Sequence, residues 1–526
     1  MKKIHVNQLG YRTKDFKRAV VAQNDDKFQV VRASDNSVAY DGVSGNEIYD
    51  AASEETVRIA DFSDFSEKGE YIIRADSGSS YPFLIDETPY KGFRNALLEM
   101  FNYQKCGVDL DCGLWSHPVC HDSPATIYGT DEKKDVSGGW HDAGDYGRYI
   151  VPAAMTVADL LLAHELSPGT HGRAVPEAND QPKTDEKILE TVWFEIEWML
   201  KMQCEKTGGV YHKVSCRTFN ALDEMPHDEK GELVICPISY TATADFAAAM
   251  ALGSRFYPSK KDVLLNSAKR AWDWCMKNPH APNFTNPPDI KTGMYGDDNN
   301  KDEILWAACE LFAATCEEKY HDVIKSSEIF LGLGWADMGT YGIAAYLRLA
   351  NEKPNVINSA QVTKMKNKLR LECKEILQKN KKEPYGTSQG TYYRWGSNLD
   401  VANNAKALLL YHHLAEKNIE YEETAMEHMH YLLGRNPLSQ SYITGFGSNA
   451  SKSPHHRPSV AAQAAFPGMV IGGPNSTTPR DITLQNHCEG NPPSKFYVDD
   501  KESFASNEVS IYWNSAVYFV ASVLNM

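Results

Sequence analysis

The amino-acid sequence predicts two domains of different class, a small all-β sandwich at the N-terminus and a large all-α domain after it. Up to about residue 86, short β-branched or aromatic runs are separated by Asp, Asn, Ser and Gly, a spacing typical of a small β-sandwich. After Asp86-Glu87-Thr88-Pro89, the apolar residues change from a period of two to the helical period. We therefore predict a β domain over residues 1–86 and a helical domain over residues 87–526.

The strands of the N-terminal domain are predicted from runs that end at turn-forming residues. They are Arg18 to Gln23, Phe28 to Ala33, Ser37 to Gly42, Val57 to Ser63, Gly69 to Asp76 and Ser79 to Asp86.

Apolar residues at helical spacing predict the main helices of the second domain. The clearest are Asp185 to Gln203, Val263 to Met276, Asp302 to Thr315 and Glu422 to Leu433, with Gly434 placed to end the last of these. Loops rich in Gly, Pro, Asn and aromatic residues separate them at 205–237, 279–300 and 439–500, and long loops in a compact domain are usually functional. So many helices suggest helical hairpins closed into a toroid, although composition alone does not separate this from an open helical array.

Composition and charge exclude several classes of function. The 526 residues carry 54 basic and 70 acidic side chains, a net charge of −16, which disfavours nucleic-acid or anionic-membrane partners. No apolar run is long enough to predict a membrane span. The first residues lack the pattern of a secretory signal, and the 11 cysteines are an odd number. We expect a cytoplasmic protein, with a removed leader as the alternative.

The densest chemical signal runs from Val136 to Tyr149 and contains Gly138-Gly139-Trp140-His141-Asp142-Ala143-Gly144-Asp145. Small residues allow tight backbone packing, and two carboxylates three positions apart project from one short turn. Such a pair can hold a water molecule, one carboxylate taking its proton and the other orienting it. The structural alternative is a capping turn or a calcium-binding turn.

A second signal combines Tyr442 to Gly447 with Pro454-His455-His456-Arg457-Pro458 and the glycines at 468, 472 and 473. Histidine and arginine held between prolines offer fixed donors to sugar hydroxyls or to a carboxylate that must stay ionised. The alternative is a solvated surface loop.

The third signal lies near the C-terminus, where Glu508 follows Asn507 and opens an apolar segment. The aromatic residues of Tyr512-Trp513-Asn514 come directly after it. Apolar surroundings raise the pKa of a carboxyl by desolvation, which suits a general acid. A glutamate that stabilises a helix N-terminus is the alternative.

Together these motifs resemble glycoside hydrolase family 9, the cellulase family of inverting β-glucan hydrolases. Further matching segments are Pro237 to Phe246, Tyr295 to Trp306 and Trp395 to Asn398, so the resemblance runs from about residue 90 to the C-terminus. The opening His5-Val6-Asn7-Gln8-Leu9-Gly10-Tyr11 resembles the immunoglobulin-like domain that precedes the catalytic domain in one branch of that family.

The resemblance implies an (α/α)6 barrel that cleaves β-1,4-glucosidic bonds of β-glucan or cello-oligosaccharides with inversion. By this resemblance Asp145 is the general base, Asp142 its partner in holding water, and Glu508 the general acid. His455 and Arg457 are expected to contact the sugar or the carboxylates. Inversion further predicts about 6.5 to 9.5 Å between the two catalytic carboxyls. We expect Trp395 and Trp513 to line the cleft, with core packing as the alternative.

Two metal sites are candidates, and no organic cofactor is expected. Cys106, Cys120, His121 and His141 can supply four tetrahedral ligands for a structural zinc, with Cys112 as a competing ligand and ordinary buried cysteines as the alternative. This set also resembles the zinc site of the immunoglobulin-bearing branch. The second candidate is a calcium site, since the family often carries calcium in this region. Its hard oxygen ligands would be Asp298, Asp302, Glu303 and Asp337. A solvated acidic residue pair at the start of a helix explains Asp302 and Glu303 equally well.

Three other functions stay open at this point. A cytoplasmic enzyme would act on short imported oligosaccharides, as an exo-acting β-glucosidase or exo-β-glucosaminidase. A carbohydrate-binding protein without catalysis has no need of Asp142, Asp145 and Glu508 together. A zinc hydrolase needs an open coordination position, which four protein ligands do not leave.

Overall fold

The computed structural model describes residues 2–168 and 182–526, with the backbone alone for residues 182–185. The N-terminal part is a sandwich of two β-sheets. One sheet has the order β1-β9-β7-β3-β4 with β8 paired to β7, and the other has the order β2-β6-β5. The strands are β1 (Gly10–Arg12), β2 (Arg18–Ala22), β3 (Lys27–Arg32), β4 (Val38–Val43), β5 (Ile48–Asp50), β6 (Glu55–Asp61), β7 (Gly69–Ala75), β8 (Gly78–Ser79) and β9 (Phe83–Asp86).

The sandwich is held by a core of buried aromatic and β-branched side chains. Tyr11 packs edge-on against Phe62 and Phe83 with ring centroids 5.5 Å apart in both pairs, and Tyr71 and Ile73 are buried beside them. All six predicted strands are present, but the last is divided into β8 and β9. Pro82 lies in the break, where its missing N–H would interrupt a continuous ladder.

The rest of the described chain is mostly helical. The helices are α1 (Phe93–Tyr103), α2 (Ile150–Leu166), α3 (Pro182–Lys201), α4 (Tyr240–Gly253), α5 (Lys261–Lys277), α6 (Lys301–Thr315), α7 (Glu318–Ser326), α8 (Gly339–Glu352), α9 (Ser359–Asn380), α10 (Ser397–Leu414), α11 (Ile419–Leu432), α12 (Arg457–Ala461), α13 (Ile482–Cys488), α14 (Phe504–Asn507) and α15 (Ile511–Val523). The four predicted helices correspond to α3, α5, α6 and α11. The predicted start at Asp185 falls where side chains are not described. Gly434 follows α11 with φ 116°, the left-handed region that glycine favours at a helix end.

A small sheet lies inside the part predicted as purely helical. Its order is β11-β10-β14-β13-β12, with strands β10 (Ala125–Ile127), β11 (Lys133–Lys134), β12 (Arg148–Tyr149), β13 (Lys213–Ser215) and β14 (Val234–Ile235). Strands of two or three residues are too short to show alternation, so the sequence pattern did not reveal them. The predicted loop 205–237 therefore contains two strands.

The chain divides into two compact units. The first unit comprises 1–100, 373–409 and 418–526, and the second comprises 101–372 and 410–417. The sandwich and Glu508 belong to the first unit, and Asp142 and Asp145 to the second. The predicted domain boundary at residue 86 stays a prediction.

None of the helices in the described residues is both long and apolar enough to cross a membrane. All 11 cysteines lie in the described part of the chain, and none of them forms a disulfide there.

Candidate active site

The turn that carries Asp142 and Asp145 depends on glycines for close packing. Gly138 and Gly139 have φ of 98° and 77°, and a Cβ at Gly139 would lie 2.6 Å from the ring of Trp198. The buried guanidinium of Arg148 donates hydrogen bonds to the carbonyls of Val136 (2.6 Å) and Gly138 (2.8 Å). The start of the turn is therefore fixed by the packing of Gly139 on Trp198 and by the hydrogen bonds of Arg148.

Buried polar groups hold the middle of the turn. His141 N donates to Gln104 O at 2.7 Å, and the Gln104 amide donates to Ala143 O at 3.0 Å. Trp140 N donates to a carboxylate oxygen of the fully buried Glu195 at 2.6 Å. These contacts orient the two following carboxyls.

Asp142 and Asp145 are both buried, 1% and 8% exposed, but their hydrogen bonds differ. Asp145 Oδ2 accepts hydrogen bonds from Gly147 N (3.1 Å) and from the Tyr149 hydroxyl (2.9 Å). Asp142 accepts one from the Tyr295 hydroxyl. Burial and the neighbouring Asp145 charge raise the pKa of Asp142 well above its ordinary value, against the effect of the Tyr295 bond. Two close buried carboxyls do not ionise together easily, so Asp145 is the better base.

Glu508 lies between two helices, directly after α14 and three residues before Ile511, where α15 begins. It is outside the first turn of α15, so the helix-terminus alternative for Glu508 is wrong. Its carbonyl accepts a hydrogen bond from Gly472 N at 2.9 Å, and its backbone pairs with that of His455. The side chain is half-buried.

Asn507 ties three segments together beside Glu508. Its amide donates to the carbonyls of Ser453 and Asp500 and to Asp499 Oδ1, and its Oδ1 accepts the Tyr497 hydroxyl at 2.8 Å. Tyr497 is buried and Asp499 and Asp500 are half-buried, whereas Ser453 is exposed. Four hydrogen bonds to one buried amide fix its orientation.

His455 was predicted to offer a hydrogen-bond donor to the sugar or to the carboxylates, and in the structure one ring nitrogen donates within the protein instead. Its Nδ1 donates to Lys501 O at 2.6 Å, and burial lowers its pKa to about 4. The imidazole is therefore neutral near pH 7, with Nε2 as an acceptor. His456 caps α12, and Arg457, 6% exposed, is the first residue of that helix.

The two predicted cleft tryptophans have different surroundings. Trp513 is 3% exposed and packs on Gly396 and Gly472, where an added Cβ would lie 3.0 Å from its ring. The ring takes part in core packing, and a place for Trp513 in the cleft stays a prediction. Trp395 is half-buried, 5.2 Å from Phe504, and its role in sugar binding stays a prediction.

The predicted zinc ligands lie together. One ligand atom from each of Cys106, Cys120, His121 and His141 is within 4.8 Å of all the others. His121 Nε2 is 2.9 Å from a carboxylate oxygen of Glu229, the partner that a metal-bound histidine usually has on its second nitrogen. The donor set fits zinc, whereas the competing Cys112 is not in this group.

The predicted calcium residues do not form such a group in the described part of the chain. Asp298 and Asp337 are exposed, whereas Asp302 and Glu303 are buried. Asp302 accepts hydrogen bonds from Met338 N (2.6 Å) and the Asn299 amide. Both Glu303 oxygens are buried without a hydrogen-bond partner, as are both oxygens of Asp245. Such buried oxygens are compatible with a cation, and calcium stays a prediction.

Sequence reasoning missed the residues that surround the catalytic carboxyls. Tyr149 and Tyr295 were inside quoted motifs, but nothing local shows that their hydroxyls reach Asp145 and Asp142. Glu195 and Glu229 come from segments far away in sequence. Only the fold brings such partners together.

The comparisons with known proteins identify the class of enzyme. Residues 90–521 match the family model "Glycosyl hydrolase family 9", and residues 1–80 match "Cellulase N-terminal ig-like domain". The chain is a glycoside hydrolase. It belongs to glycosyl hydrolase family 9, and its fold is an immunoglobulin-like β-sandwich followed by the (α/α)6-barrel class, as predicted.

Individual relatives match along the whole chain. A cellodextrinase of Butyrivibrio fibrisolvens is 33% identical, with 99% of both chains covered. The structure of AaCel9A in complex with cellobiose-like isofagomine has a TM-score of 0.91 at 35% identity, covering 100% of both chains. A Zn-binding triple mutant of the family 9 endoglucanase J30 has a TM-score of 0.87 at 29% identity, covering 98% of this chain and 100% of that one. The exo-acting glucosidase or glucosaminidase alternative is not favoured by these relatives.

Proposed function

We propose that this chain hydrolyses β-1,4-glucosidic bonds of β-glucan or cello-oligosaccharides with inversion at the anomeric carbon. The observation that carries the proposal is the asymmetric carboxyl pair, in which Asp145 is stabilised as an anion and the pKa of Asp142 is raised. An ionised base with a neighbour that can hold water is the general-base half of an inverting hydrolysis.

In the proposed reaction Glu508 donates its proton to the glycosidic oxygen as the bond from that oxygen to C1 breaks. Asp145 takes a proton from water while the water oxygen bonds to C1 from the opposite face. Asp142 orients the water. The products are an alcohol and a hemiacetal of inverted configuration, and proton exchange with solvent restores both carboxyls. The predicted separation of the catalytic carboxyls stays a prediction, because they belong to different compact units.

The substrate class is supported by the relatives, which include a cellodextrinase and a protein bound to a cellobiose-like inhibitor. We propose that the half-buried Trp395, His455 through Nε2, and Arg457 contact the sugar. Stacking of a sugar face on an aromatic ring and hydrogen bonding to its hydroxyls are the usual means of carbohydrate recognition.

We also propose that Cys106, Cys120, His121 and His141 bind a structural zinc ion. Four protein ligands give a closed tetrahedral site, which stabilises a fold and takes no part in hydrolysis. Since His141 precedes Asp142 directly, the ion would brace the turn that carries the base. The Zn-binding triple mutant of the endoglucanase J30 supports the proposal only to the extent that a protein of this family can hold zinc.

The substrate proposal is tested by incubating the protein with cello-oligosaccharides, mixed-linkage glucan, chito-oligosaccharides and chitosan oligomers, followed by chromatography of the products. We expect shorter cello-oligosaccharides from the cello-oligosaccharides, and oligosaccharides that retain their β-1,3 bonds from the mixed-linkage glucan. Release of glucosamine alone from the chitosan oligomers would contradict the proposed substrate.

A further inference from the structure

The general base rests against a tyrosine that no sequence motif assigned to it. The Tyr149 hydroxyl and Gly147 N both donate to Asp145 Oδ2. Tyr149 is 2% exposed. Two donors on one oxygen fix the plane of the carboxylate and stabilise its ionised form, which is the form that takes a proton from water.

The surrounding chain keeps space for the Tyr149 hydroxyl. A Cβ at Gly147 would overlap the phenol, and a Cβ at Gly293 would lie 3.1 Å from Oη. Gly293 has no left-handed backbone conformation that would require glycine. Its small size therefore serves the close approach of the Tyr149 ring.

A buried lysine lies behind this tyrosine. Lys213 is 0% exposed and pairs with Tyr149 in the register of β12 and β13. Its Nζ lies 5.3 Å from the centre of the Tyr149 ring, and it donates to Thr292 Oγ1 (3.0 Å) and to Gly293 O. These partners are neutral oxygens. A buried ammonium bound only to neutral oxygens favours nearby negative charge.

The charge that Lys213 favours is that of Asp145. Burial lowers the pKa of Lys213 to about 8, and the acidic groups of Cys236 and Asp145 act in the opposite direction. Burial raises the pKa of the Cys236 thiol to about 11, so near pH 7 Asp145 is the charged one of the two. Asp145 also faces Asp142 in its own turn and Tyr149 on β12. Tyr295, from the segment after Gly293, faces Asp142.

We propose that Tyr149 is a positioning residue for the base Asp145 and that Lys213 holds Tyr149 and the segment 292–293 in place. This inference rests on the proposed function. It assigns the β12–β13 pair a task in the reaction, which is to keep Asp145 oriented and ionised.

The test compares Tyr149→Phe, Gly293→Ala and Lys213→Met with the control Tyr128→Phe, which removes a hydroxyl bonded to Asp289 at the surface. On cellotetraose we expect Tyr149→Phe to lower kcat about tenfold with KM unchanged, the effect of losing one donor to an anion. The acidic limb of kcat/KM should move to higher pH, because the ionised base has lost stabilisation. Gly293→Ala, which displaces the hydroxyl, and Lys213→Met should shift the limb in the same direction.

The inference is overturned if Tyr149→Phe and Gly293→Ala match Tyr128→Phe in kcat and in the position of the acidic limb. If Tyr149→Phe does not fold, the pH profiles of kcat/KM for Gly293→Ala and Lys213→Met test the positioning role instead. The Asp145→Asn variant distinguishes a failure of the proposed function from a failure of the positioning role alone. Wild-type turnover in that variant would overturn the proposed function itself, whereas inactivity with an unchanged Tyr149→Phe profile would overturn only the positioning role.

Discussion

Asp142 accepts a hydrogen bond from Tyr295, whereas Asp145 accepts bonds from Gly147 and Tyr149. The sequence motif was enough to select both aspartates, because their spacing and the small residues around them are local properties. It could not show which of the two is stabilised as an anion. That depends on the hydroxyls of Tyr149 and Tyr295, which the fold brings close to the two carboxyls.

At the residue scale, the acid role of Glu508 predicts a dependence on the leaving group. Glu508→Gln should lower turnover of cello-oligosaccharides by about 10²–10⁴-fold. It should keep most activity on 2,4-dinitrophenyl cellobioside, because that leaving group departs without a proton. Initial rates on both substrates test this, with the exposed Glu502→Gln as the control. Equal losses on the two substrates would exclude the acid role.

At the element scale, the four helices predicted from apolar residues at helical spacing agree with α3, α5, α6 and α11 to within a few residues. The other long helices, α2, α4, α8, α9, α10 and α15, were not individually predicted. The small sheet β10–β14 was missed, although β12 and β13 orient the base. Its strands of two or three residues are stabilised by contacts between segments remote in sequence. Helical periodicity is a local signal, whereas strand pairing of this kind is not.

The zinc cluster joins the loop after α1 to the turn that carries the base. We expect purified protein to contain about one zinc per chain, and Cys106→Ser or Cys120→Ser to lose it, because the site needs all four ligands. Elemental analysis by mass spectrometry measures this directly. The exposed Cys316→Ser is the matched control and should retain the metal. Full zinc content in both ligand variants would contradict the site.

Helices α2, α6 and α8 are joined by a buried ionic group. Arg348 donates to Glu310 at 2.8 Å and to Glu165 at 3.3 Å, with the Arg348 and Glu310 side chains 5% and 2% exposed. Removing one partner of such a pair leaves an uncompensated buried charge. Arg348→Met should therefore cost about 3 kcal/mol, whereas Lys325→Met at the exposed Glu318 pair should cost under about 1 kcal/mol. Apparent unfolding temperatures of the two variants measure the difference.

The same group predicts a pH dependence. Burial raises the pKa of Glu165, but the guanidinium groups of Arg348 and Arg255 outweigh it, so the pKa lies below the ordinary value. Stability from a carboxyl of lowered pKa is present above its unfolded value and is lost as the pH falls through the folded one. The gap in unfolding temperature between wild type and Arg348→Met should shrink below about pH 4.3. A constant gap down to pH 3 would contradict this assignment.

At the scale of the whole molecule, the change of period near residue 86 predicted a β-sandwich followed by a helical region. It did not predict which segments form each of the two compact units. The sandwich shares a compact unit with residues near the C-terminus, because Gln8 donates to Ser439 O at 2.8 Å and accepts from Asn449 N at 2.7 Å. These partners are more than 400 residues apart, and no local pattern predicts such pairing.

The most direct test of the account is the configuration of the newly formed reducing end. Proton NMR during hydrolysis of cellotetraose shows the anomer released before mutarotation. Direct displacement by a water held at Asp142 and Asp145 predicts the α-anomer first, followed by slow equilibration with the β-anomer. Initial release of the β-anomer would show retention of configuration and would contradict the roles assigned to Asp145 and Glu508.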